Sequence, residues 1–178
     1  MKKQNFFLHP FHKTGSERII IQGEIGRKDG TLSLTCSISG CLSDVLLPKT
    51  TGSPERRDRL WEETCFEFFI GPVGYKHYWE FNLSPAGHWN VYSFTSYREG
   101  MKAEAAFESL PFVVQREPDS LKVSVELPLK SLIDKDQAID ISACAVIKQS
   151  DQTMSYWALS HAGRTPDFHL RDSFGIRL

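Results

Sequence analysis

Apolar residues fall at every second position along most of this chain, and a period of two is that of a β-strand with one face in a core. Leu32, Leu34, Cys36 and Ile38 alternate with Ser33, Thr35, Ser37 and Ser39. Phe66, Phe68 and Ile70 alternate with Cys65, Glu67 and Phe69, and Trp79, Phe81 and Leu83 with Tyr78, Glu80, Asn82 and Ser84. The same pattern runs through Leu121–Leu127 and Ile139–Lys148. Further strand candidates are Arg18–Glu24, Trp89–Arg98, Pro111–Arg116, Met154–Leu159 and Phe174–Leu178, which makes about ten short strands. Such spacing predicts an all-β chain, a single antiparallel β-sandwich of jelly-roll or immunoglobulin-like type spanning 1–178. Pro128–Ile133 reads as one helical turn. Met101–Leu110 reads either way, its Ala and Glu content favouring helix and its Ala103, Ala105, Phe107 spacing favouring strand. Pro48–Arg59 is a long loop whose charge run, Glu55–Arg59, reads as solvated.

At 178 residues a single domain can bury a core without disulfide or metal staples. The 21 Lys+Arg against 22 Asp+Glu argue against a broad electrostatic grip on nucleic acid or anionic lipid. No apolar run approaches the ~20 residues of a membrane-spanning helix. The stretch from Met1 to His12 has Lys2 and Lys3 but is interrupted by His9, Pro10 and His12, so it does not read as an export signal and the expected compartment is cytoplasmic. Cys36, Cys41, Cys65 and Cys144 lack zinc-like spacing and are expected as free thiols, with a Cys36–Cys41 pair open only to an oxidising compartment. No phosphate-cradling or nucleophile-elbow motif occurs. Asn82-Leu83-Ser84 matches a glycosylation sequon but sits in a predicted strand and is followed by Pro85.

Three features point to a ligand. Glu67 lies between Phe66 and Phe68, and Glu80 between Trp79 and Phe81, with Asn82 continuing on the same side. If the strands are neighbours, Glu67, Glu80 and Asn82 line one polar surface suited to vicinal hydroxyls. The plain alternative is a solvated face with cross-strand ion pairs, for instance to Arg98. The tryptophans are the second feature. Trp79 shares a face with Phe81 and Leu83 and reads as core. Trp89 follows a Pro85–His88 turn and Trp157 is close to His161, so these two are the candidates for stacking on a flat ligand. Third, His161 and His169 flank Asp167, and a histidine with Met101 or Met154 could ligate a haem iron. A structural or surface role is the plainer reading of each histidine.

Trp61-Glu62-x-x-x-x-Glu67-x-Phe69 followed by Tyr78-x-Glu80-Phe81-x-x-Ser84-Pro85-x-Gly87-x-Trp89 resembles the DOMON-like domains and their relatives, the family nine carbohydrate-binding modules. Tyr97-Arg98-x-Gly100-Met101, Trp157-Ala158-Leu159 and Pro166-Asp167-Phe168-His169 are similar to small stand-alone bacterial DOMON-like proteins. The resemblance covers roughly Ser16 to Leu178. It implies an antiparallel sandwich that binds a small ligand, sugar or haem, and performs no chemistry. For a sugar it implies polar contacts from Glu67, Glu80, Asn82 and Arg98, with Trp89 and Trp157 stacking and His161 beside them. For haem it implies Met101 with His88, His161 or His169.

The expectation is therefore a non-catalytic small-ligand-binding module for carbohydrate, with no cofactor. A haem-binding domain for electron transfer or sensing is the alternative. A glycosidase built on Glu67 and Glu80 ranks lower, although neighbouring strands ~4.8 Å apart would allow the retaining separation of ~5–5.5 Å. A protein-interaction domain ranks with it.

Overall fold

The computed structural model describes residues 3–12 and 18–178. Its strands are β1 (Lys3–Pro10), β2 (Ile19–Lys28), β3 (Thr31–Gly40), β4 (Cys65–Pro72), β5 (Tyr78–Leu83), β6 (Trp89–Phe94), β7 (Lys102–Ala103), β8 (Phe112–Glu117), β9 (Ser120–Pro128), β10 (Ile139–Lys148), β11 (Met154–Ala158) and β12 (Ile176–Arg177). Among the described residues there is no α-helix, only three single 3-10 turns. All strand pairs are antiparallel.

The strands form two packed layers. The first sheet runs β8-β9-β3-β2-β1 and the second β7-β6-β5-β4-β10-β11, with β12 beside β10. β1 belongs to both. Lys3–Leu8 pairs with β2, then His9 and Pro10 pair with β11, so one strand carries the chain from sheet to sheet. The sequence reading has no strand here, because the short run around Phe6 and Leu8 is bounded by polar residues and by Pro10. In the β2–β3 hairpin, Asp29 and Gly30 both have positive φ, 50° and 76°, the two-residue turn whose twist matches the strands it joins.

Alternation sends Leu32, Leu34 and Ile38 of one sheet against Phe66, Phe68, Phe81, Ile141 and Ala145 of the other in a single core. Phe68 and Phe81 stack at 4.4 Å between ring centres. The outward side of the second sheet departs from expectation. All eight residues of β4 are buried, so its second face is covered too. A smaller cluster there joins Phe69, Tyr78, Tyr92 and Phe94 to Phe168 and Phe174 from the segment 159–175. Two irregular segments, 55–62 and 159–175, thus roof a face that period two alone marks as solvated. Pro128–Ile133 makes the one turn expected of it, closed by Ile133 N–H donating to the Leu129 carbonyl. The 101–110 segment resolves as the two-residue β7 and a turn, with Phe107 and Leu110 inward.

The charge run is likewise not simply solvated. The Arg56 guanidinium lies 4.4 Å from the Trp89 ring centre and donates to Asn90 Oδ1 at 2.9 Å and to the carbonyls of Glu104 and Phe107 at 3.0 and 2.6 Å. It ties the loop to β6 and to the turn after β7.

Candidate functional site

The outward face of the second sheet is a grid fixed by register. One row runs Asn90, Asn82, Glu67, Cys144, and the next Tyr92, Glu80, Phe69, Ser142. Glu67 therefore faces Asn82, and Glu80 is one diagonal step away, on the order of 7–8 Å at the backbone. Between the two roofing segments a pocket of about 310 Å³ reaches this grid. Glu67 and Glu80 form its floor. Trp61, Phe94, Tyr156 and Phe168 supply aromatic walls, and Arg98, Met101, Val146, Pro166 and His169 complete the lining.

Trp61 is placed by a 3-10 turn, Leu60–Glu62, between two anchors. On one side the Asp58 carboxylate accepts from the Tyr92 hydroxyl at 2.8 Å and from Asn90 Nδ2 at 2.9 Å. On the other Lys148 pairs with Glu63 at 2.7 Å. The indole leans on Tyr92, 5.9 Å between centres, and is only partly buried. The opposite wall is held by Asp167. Its carboxylate accepts from Arg98 at 3.0 Å, from the Tyr97 hydroxyl and from the His169 backbone N–H. Arg98 has φ 56°, a left-handed conformation that costs a non-glycine residue on the order of 1–3 kcal/mol, and its own N–H donates to the Tyr78 hydroxyl.

The floor is electrostatically unusual. Glu67 is 6% and Glu80 4% exposed. Burial pushes Glu80 up to about 7 despite the hydrogen bond it accepts from Asn82 at 2.7 Å. Burial, and then the neighbouring Glu80, push Glu67 well above the usual carboxylate range. Glu67 Oε1 is buried and accepts no hydrogen bond from the protein. His169 Nε2 lies 3.8 Å from Glu80, but desolvation and then Arg98 hold that imidazole down to about 4, so it is neutral at pH 7. Two carboxyl groups thus sit at the bottom of an aromatic pocket, and among the described residues no cationic side chain is bonded to either.

Of the residues singled out in the sequence, Glu67, Glu80, Arg98, Met101 and His169 meet at this pocket. Four placements are corrections. Trp89, 4% exposed, lies on the inward face opposite Leu83 and belongs to the main core. Trp157 pairs with inward Ala145 and is also core; its rim meets a second cavity of about 390 Å³ at the sheet edge, beside His12 and Arg18. Asn82 is wholly buried and orients Glu80 instead of lining the pocket. His161 bonds the His9 carbonyl at 2.8 Å and packs on Phe11, away from the pocket. The cross-strand Arg98–glutamate ion pair of the alternative reading is not formed; Arg98 pairs with Asp167. The aromatic that sequence reasoning missed as a ligand contact is Trp61. A signal for it was present: it is the one tryptophan outside every alternating stretch, so no core strand claims it.

Of the residues of the haem alternative, Met101 and His169 line this pocket together, with His169 Nδ1 hydrogen-bonded to the Tyr78 hydroxyl at 2.9 Å and that hydroxyl accepting the Arg98 N–H. His161 and His88 are engaged elsewhere, His88 being buried with its Nδ1 toward the Glu55 N–H.

No family model matches the chain, and no curated protein matches it in sequence. Solved structures do share the fold. A Bacteroides uniformis protein proposed to bind carbohydrate superposes with TM-score 0.72 at 15% identity, covering 97% of this chain and 84% of its own. A family nine carbohydrate-binding module from Caldicellulosiruptor kristjanssonii, solved with cellotriose, gives TM-score 0.51 at 10% identity, covering 88% and 72%. The fold implied by the resemblance to family nine modules is the fold of this chain.

Proposed function

We propose that the protein is a non-catalytic carbohydrate-binding module that takes one sugar ring into the pocket over Glu67 and Glu80. The observation that carries the reading is the pairing of a carboxyl floor with an aromatic wall. Carboxyl groups held near neutrality both donate and accept hydrogen bonds, which suits hydroxyls. Trp61 offers an apolar face to ring C–H groups. At about 310 Å³ the pocket is at the lower end of the small-ligand range, ~300–1,000 Å³. The solved structures with this fold, one described as carbohydrate-binding and one bound to cellotriose, support the same reading.

Titration calorimetry against glucose, glucosamine, N-acetylglucosamine and cellobiose tests the proposal. The tightest of these sugars should lose about 1 kcal/mol or more with Trp61→Ala, the scale of an aromatic contact, and should be left intact after prolonged incubation. Absence of binding by all four, or hydrolysis of the cellobiose, contradicts it.

A further inference from the structure

We infer that the sugar this pocket is built for carries a free, protonated amine. The inference rests on the carbohydrate reading and narrows it to a class of sugar. Its ground is what the floor lacks. Glu67 is nine-tenths buried and lines the pocket, with one oxygen that accepts nothing from the protein. Glu80 shares that floor and spends one oxygen on Asn82. Among the described residues the one arginine of the lining, Arg98, directs its guanidinium to Asp167, and the one histidine is His169. His169 is tied through Nδ1 to Tyr78. Two carboxyl groups buried this closely need a cation between them or must share protons.

An ammonium brings that cation with three donors, enough to reach the pocket-facing edges of the Glu67 and Glu80 carboxyl groups together. The walls suit it as well. Trp61 and Tyr156 line the space above the floor, and aromatic rings attract a desolvated cation. A neutral sugar meets the same floor only through hydroxyls and leaves the carboxyl pair without a counter-charge. An N-acetyl group is worse, since it buries an amide with a single donor and a methyl group against two acids. The position of the amine on the ring is set by which face lies on Trp61, and an unacetylated 2-amino hexose is the simplest member of the class.

The test is calorimetry on the wild-type protein at pH 7 in metal-free buffer with glucosamine, glucose, N-acetylglucosamine and cyclohexylammonium chloride. An amine beside electron-withdrawing carbons titrates near ~7.7–8.0, as an α-amino group does, so glucosamine is mostly cationic there. Glucosamine should bind roughly ten-fold or more tightly than glucose or N-acetylglucosamine, the scale of one added charge-assisted contact. Glu67→Gln, checked for folding by its thermal transition, should shrink that ratio to about two-fold or less. Equal or tighter binding of glucose overturns the inference and leaves the carbohydrate reading standing. Binding of cyclohexylammonium but of no sugar overturns the carbohydrate reading and retains the ammonium site. Binding of none of the four overturns both.

Discussion

Glu80 reports its surroundings through its proton. Its unfolded value lies near 4.5 and its folded value at about 7, because burial disfavours the anion. A carboxyl raised in this way favours the folded chain fully below about 4.5, and that contribution is lost as pH climbs through about 7. His169 works oppositely: lowered from 6.5 to about 4, it stabilises fully above 6.5 and loses that as pH falls through about 4. Comparing wild type with Glu80→Gln cancels the histidine. Between pH 4.5 and 8, wild type should lose ~2–3 kcal/mol relative to the variant in urea unfolding; a pH-independent difference would show that Glu80 is not held in a desolvated floor. The two glutamates were legible in the sequence because alternation sets them opposite Phe66, Phe68, Trp79 and Phe81. Trp79 was legible as core in the same way, but Trp89 and Trp157 were not. In Trp89-Asn90-Val91-Tyr92-Ser93-Phe94 both faces are largely apolar, so period two gives no inside and outside, and the structure puts Trp89 and Val91 inward with Asn90, Tyr92 and Phe94 outward.

The longer strands with a clear period of two were found from the sequence, while β1, with only Phe6 and Leu8 alternating inward, was not. The strands around Leu34, Phe68, Phe81, Val125 and Ile141 stand where alternation put them. The pocket, however, is made by 55–62 and 159–175, whose inward contacts follow no period: Trp61, Asp58, Asp167, His169. Segment 159–175 is fastened by Arg171, whose guanidinium lies over Phe174 at 4.6 Å, near Asp140 at 3.6 Å and against Gly71, where a Cβ would fall 1.2 Å from its Nη1. Only glycine admits that crossing. Arg171→Ala should therefore speed amide exchange at His169 and Leu170 and weaken ligand binding while leaving the β2–β3 hairpin as protected as before. Gly71→Ala, which displaces the same guanidinium, should reproduce the effect. Uniform loss of protection across both sheets would mean that Arg171 supports the core and not the roof of the pocket.

At the scale of the whole molecule, two sheets joined through β1 enclose one core, and the site lies outside that core, on the far face of the second sheet. Thiol accessibility reads this layering directly. Cys36 faces the core, Cys65 and Cys144 lie under the roof beside the glutamates, and only Cys41 is partly exposed. Burial pushes the Cys36 thiol up to about 12 and raises Cys65 and Cys144 as well. One thiol should label quickly in the native protein and three more only on unfolding; fast labelling of two or more would mean that a covered face is open. The placement of the site is tested most directly by fluorine NMR of protein carrying 5-fluorotryptophan, its four signals assigned with single Trp→Phe variants and followed during titration with the sugar that calorimetry ranks tightest. The Trp61 signal should shift and saturate with the calorimetric affinity while those of Trp79, Trp89 and Trp157 stay in place. A shift confined to Trp157, or no shift at Trp61 at saturation, would put the sugar somewhere other than over Glu67 and Glu80.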